Sequence, residues 1–156
     1  MGSIRDFFVN MGIVSEDYID SLSDDMESQN AKKAAYSKIE EQFDAMTKDG
    51  TLDAREKTAL MNQLRAAGLD TGALSRLYGD VKDSDAAVRG DKLADFGKAF
   101  KEELGKARAG ADDKIEDDRS EANKAQTFAS IGYSSAADWN KKSHDAYMAI
   151  IGNMKG

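Results

Sequence analysis

The chain has 156 residues, 40% of them hydrophobic, with no cysteine, no proline and a formal net charge of −7. That balance, with Lys and Arg interleaved among acids, excludes the concentrated basic face that nucleic acid requires. The absence of cysteine excludes disulfides, thiolate metal sites and thiol nucleophiles.

Ala, Lys, Glu, Asp, Leu and Met dominate, and the β-branched and aromatic enrichment of strands is missing. The fold class expected is all-α, a bundle of helical hairpins in a single domain over 1–156, with 112–130 as an extended or mobile charged segment. No stretch approaches the ~20 apolar residues that span a bilayer. The start, MGSIRDFFVNMG, lacks the features of a secretory signal, so the expected location is cytoplasmic or secreted without a cleavable signal.

A first short helix over roughly 3–11 places Ile4, Phe7, Phe8 and Met11 on one side, and Gly12 is read as its end. Ser15 is read as the cap of a second short turn with Tyr18, Ile19 and Leu22. Ser23 is read as the cap of a longer helix whose first turn, Asp24-Asp25, suits the positive end of the helix dipole. Tyr36, Ile39, Phe43 and Met46 step by three and four along it, a single helical stripe.

Beyond Gly50, Asp53 and Glu56 have capping-box spacing, with Asp in place of Ser or Thr. The helix they start buries Leu60, Met61, Leu64 and Ala67, and Gly68 stops it. Asp70 caps another short helix carrying Leu74, Leu77, Tyr78 and Val81. Short connections predict antiparallel hairpins.

Residues 85–130 read as helix throughout. Leu93, Phe96, Phe100, Leu104, Ala107 and Ala111 form its stripe, continued by Ile115, Ala122, Ala125 and Phe128. Unbroken, it would run about 68 Å at ~1.5 Å per residue. The expected break is Gly110, with Asp113 and Glu116 capping a new helix. Gly90, Gly97 and Gly105 each weaken the first half by roughly 1 kcal/mol relative to Ala, which close approach of a neighbouring helix would explain. A last helix from Ser134 or Ser135 carries Trp139, Tyr147, Ile150, Ile151 and Met154. Those five residues are either core or a face for a partner.

Within "MTKDGTLDARE", Gly50 can be set at the sixth position of a twelve-residue calcium loop. Asp49 then falls at five, Thr51 at seven, Leu52 at the apolar eighth, Asp53 at nine and Glu56 at twelve. Residues 45–56 therefore resemble half of an EF-hand. The likeness implies Asp49, Thr51, Asp53 and Glu56 as metal ligands. Positions one and three depart from it, being Ala45 and Thr47. Backbone chemistry accounts for the same residues: Asp49-Gly50 is a turn, and Asp53 with Glu56 caps a helix. No cofactor is expected on the turn reading, and weak calcium is the alternative.

His144 is the only histidine and has no partner on its own helical face, since its neighbour Asp145 is turned about 100° away. The paired acids read as caps and solvated faces, so no residue set carries catalysis. The expected function is a non-catalytic interaction or assembly protein, acting with a protein partner or as a homo-oligomer. The chain resembles in style the small helical proteins of bacterial type III secretion: acidic, cysteine-free, helical, with an apolar last helix. Phage structural proteins are similar in the same respects. A calcium-responsive binding module is the alternative.

Overall fold

The computed structural model describes residues 3–78 and 87–155. The fold is all-α, with four helices and one minor two-stranded ladder among the described residues: α1 Ile4–Met46, β1 Thr51–Leu52, α2 Ala54–Ala66, α3 Gly72–Tyr78, β2 Val88–Arg89 and α4 Gly90–Lys155. Contacts divide it into two compact units. One is residues 27–115; the other joins 1–26 to 116–156.

The 27–115 unit holds the apolar core. Tyr36, Ile39 and Phe43 of α1 meet Phe96, Phe100 and Leu104 of α4, with Leu60, Met61 and Leu64 of α2 and Leu74 of α3 completing the cluster. Phe43 stacks on both α4 rings, 4.6 Å from Phe100 and 6.2 Å from Phe96 by centroid, and those two rings are themselves 6.1 Å apart. Gly97 makes room for it, because a Cβ there would meet the Phe43 ring at 3.3 Å. Salt bridges flank this antiparallel pair: Lys33 with Asp112, Glu40 with Arg108, and Asp44 with Lys101 at 3.1 Å.

Local signals set the ends of α2. Asp53 and Glu56 form the capping box, and Gly68, at φ +77°, closes the helix. Leu69 N–H donates to the Leu64 carbonyl and Gly68 N–H to that of Arg65, both at 2.9 Å, which is the Schellman arrangement. Asp70 accepts from Gly72 N–H at 2.8 Å and starts α3. The side chains of Leu77 and Tyr78, and all of Val81, lie outside the described residues.

Five expected helix boundaries are absent. Gly12 does not end a helix, because it keeps helical φ and packs beneath the Tyr133 ring. Ser15 caps nothing; its hydroxyl donates to the Met11 carbonyl at 2.8 Å, a bond made inside a continuing helix. Ser23 likewise sits within α1, which starts instead at Ile4, just after Ser3, where Ser3 and Asp6 exchange backbone-to-side-chain hydrogen bonds at 3.1 and 3.2 Å. On α4, neither Gly110 nor Ser134-Ser135 interrupts the helix. Glycine at 110 weakens helix propensity by about 1 kcal/mol, a cost that buried Leu104, Ala111 and Ile115 on either side offset.

One helical expectation fails by forming strand. Val88 and Arg89 leave the helix and pair antiparallel with Leu52 and Thr51. Gly90, at φ +56°, allows the chain to turn from β2 into α4.

The other unit is built from the first part of α1 and the last part of α4. Phe8 lies beside Trp139 and Lys142, and Gly12 lies beside Tyr133, so the two segments run antiparallel. Most of the buried positions along their contact are small. Gly12 and Leu22 on α1, and Ala125, Ala129, Gly132 and Ala136 on α4, are its buried positions. The α4 set repeats by four and three, the seam spacing of paired helices. Phe128, assigned to the buried stripe by the apolar pattern, stands off that seam and is 57% exposed.

Candidate functional site

Two regions contain the residues singled out by sequence. The first is the loop from α1 into α2, within the 27–115 unit. Thr47 continues the last turn of α1, its hydroxyl donating to the Phe43 carbonyl at 2.9 Å. Gly50 takes φ +78°, open only at little cost to glycine, and Asp49 Oδ1 accepts Thr51 N–H at 3.0 Å. Asp53 Oδ1 accepts Glu56 N–H at 2.8 Å, and Glu56 Oε1 accepts Asp53 N–H at 3.2 Å.

Each of these carboxylates thus spends an oxygen on a backbone N–H of the turn or helix start. Asp53 and Glu56 are brought together; Asp49 is bonded one turn earlier and to a different group. Among the described residues, no three acidic or histidine side chains converge to hold a metal. Leu52, the apolar eighth position, is fully buried and opposite Val88 in the two-residue ladder. A groove of about 510 Å³ lies alongside, lined by Phe43, Thr47, Gly50, Gly90, Leu93 and Lys101. Lys101 is engaged by Asp44.

The second region is the surface of the unit formed by the two chain ends. Trp139, Tyr147, Ile150 and Met154 are exposed, Met154 by 81%, and Ile151 is half-buried. They are therefore no part of the core. Every residue from 141 to 150 is exposed, His144 included. On α1, Ile4, Phe7, Ile13, Val14 and Tyr18 are exposed as well, and Phe128 and Ile131 add to them on α4. Among the described residues, all thirteen exposed large hydrophobic side chains fall in this unit and none in the 27–115 unit.

The apolar pattern singled out the C-terminal residues and set Ile4 and Phe7 on one helical side, but it did not mark Ile13, Val14 and Ile131. The available signal was the run of small residues at 125, 129, 132 and 136, which marks the seam and leaves the large ones outside it.

Tyr133 ties the two segments together on the polar side. Its hydroxyl donates to Glu16 Oε2 at 2.9 Å. That bond, with the carboxylate's charge adding to it, raises the phenol's pKa above its ordinary 10.0.

No protein-family model, curated protein or solved structure matches the chain. No helix among the described residues is long and apolar enough to cross a membrane.

Proposed function

We propose that the chain is a non-catalytic helical interaction or assembly protein. Its 27–115 unit acts as a rigid scaffold, and the paired chain ends present the docking surface. The segregation of large apolar side chains carries this reading. One unit buries Phe43, Phe96, Phe100, Leu60 and Leu104, while the other leaves Phe7, Phe128, Trp139, Tyr147, Ile150 and Met154 exposed beside a seam made mostly of Ala and Gly. Scattered exposed apolar residues need no explanation, but a concentrated patch marks an interaction site. Secreted helical subunits and phage structural subunits are the settings its composition fits.

A calcium-responsive module is the second reading. The helix–loop–strand–helix order, with Leu52 paired in a short ladder, favours it. The three carboxylates' bonds to backbone N–H groups weigh against it.

Site-specific photo-crosslinking in the cells of origin tests the first reading. A photoreactive residue at position 147 of the full chain is expected to give protein adducts, and one at exposed Glu102 in the scaffold is expected to give none. Adducts absent from 147 would remove the proposed docking surface.

A further inference from the structure

We infer that the occupant of the exposed apolar surface is a second copy of this chain, paired through a two-fold contact of the two-helix units. The inference rests on the interaction reading above and specifies its partner. Three observations carry it.

The first is area. An aromatic side chain buries about 150–250 Å² when covered. Thirteen large apolar side chains, each between 37% and 81% exposed, leave on the order of 1,000 Å² of apolar surface on one copy. A standard interface takes about 800 Å² from each partner. Two helices also make a single layer, and pairing two such hairpins produces the four-helix arrangement that encloses a core.

The second is overhang. Phe8 is level with Trp139 and Lys142. Counting back along α1 to Ile4 and forward along α4 by the same rise leaves about three turns of α4 with no α1 opposite them. Tyr147, Ile150, Ile151 and Met154 lie on those turns, beyond reach of the chain's own first helix.

The third is charge. Residues 4–26 carry one cation, Arg5, against six carboxylates: Asp6, Glu16, Asp17, Asp20, Asp24 and Asp25. Residues 138–155 carry Lys141, Lys142 and Lys155 against Asp138 and Asp145. In a two-fold contact that sets the C-terminal segment of each copy on the N-terminal segment of the other, opposite charges meet twice. An unrelated acidic partner would match only one of the two segments.

Sedimentation equilibrium of the full chain at about 10–100 μM, the range of weak homodimers, reads the outcome. Twice the 17.0 kDa chain mass is expected. Y147D with I150D should weaken pairing by roughly tenfold or more, with unchanged far-ultraviolet circular dichroism. F7E, on the other helix, should do the same. The chain has no cysteine, so mixing separate F7C and I150C chains should give a disulfide-linked pair.

A monomer throughout the range overturns the inference, as does a higher multiple, or a monomer that co-sediments with phosphatidylcholine vesicles. Acrylamide quenching of Trp139, the single tryptophan, then separates the two levels of the proposal. A monomer with readily quenched Trp139 loses the second copy but keeps a free docking surface. A monomer with shielded Trp139 loses both.

Discussion

Gly132 crosses Gly12 so closely that it tolerates no side chain. A Cβ on Gly132 would stand 3.0 Å from the Gly12 backbone nitrogen and 2.7 Å from the Phe8 carbonyl oxygen. Backbone cannot yield as a side-chain tip can. G132A is therefore expected to destabilise the unit of chain ends by about 1–3 kcal/mol, the usual range for overpacking. Trp139 belongs to this unit, so its emission during urea unfolding reports the loss directly.

The opposite sign is expected at Gly105 and Gly110. Both lie inside α4, and a Cβ at either would meet nothing within 4 Å. G105A and G110A should each stabilise the protein by about 0.4–1 kcal/mol, through helix propensity and a less free unfolded chain. Thermal melts of the two variants check this, and a lowered midpoint in either would contradict it.

Phe100 is fully buried and stacked on Phe43. F100A should cost about 3–5 kcal/mol, the range for emptying a buried aromatic site. That is a large share of the roughly 5–15 kcal/mol typical of a domain, so much of the variant should be unfolded at elevated temperature. Circular dichroism against urea measures it.

At the α1–α2 loop, D53A removes the cap from Glu56 N–H and should cost about 0.5–2 kcal/mol. In calorimetric titration, calcium is expected to bind no tighter than the weak millimolar range seen in low-affinity loops. Sensor-grade binding at about micromolar that E56Q abolished would instead place the ion on Glu56.

Tyr133 predicts a pH dependence confined to the alkaline side. Its folded-state pKa is raised because the phenolate would face the Glu16 carboxylate. The stabilisation is therefore whole below the unfolded value of about 10 and is lost as pH rises through the raised folded value. The difference in urea midpoint between the wild type and Y133F should hold from pH 7 to 9 and diminish by pH 11. A difference that stayed constant across that range would rule the mechanism out.

How much of this was legible depends on the size of the buried residues. In the 27–115 unit, Tyr36, Ile39, Phe43, Phe96, Phe100 and Leu104 are both the periodic residues and the buried ones, so stripe and core coincide. The caps at Asp53, Gly68 and Asp70 were readable because each acts on backbone within a few residues. At the chain ends the periodic argument misleads. The seam is glycine and alanine, and apolar size points away from it. Glycines then read as stops, although Gly12 and Gly132 permit a close crossing. The β1–β2 ladder was hidden for another reason: Leu52 and Val88 pair across a long stretch of sequence, and two residues are too few for any alternation to register.

The division of the chain also sets an order of assembly. Residues 27–115 are contiguous and hold the large-residue core, whereas the other unit needs segments from opposite ends of the polypeptide. Bringing Gly12 to Gly132 in an unfolded chain means closing a loop of well over a hundred residues, an entropic cost that the central unit removes once formed. An isolated 27–115 fragment should accordingly melt cooperatively by circular dichroism, and a non-cooperative melt would contradict this order. During synthesis the centre can fold as soon as Ile115 has left the ribosome, while residues 1–26 wait for a mate still to be made. For that interval the first helix carries Phe8, Met11 and Leu22, which are half-buried or buried in the finished fold, without the cover of α4, and the six carboxylates of residues 4–26 favour its staying in solution.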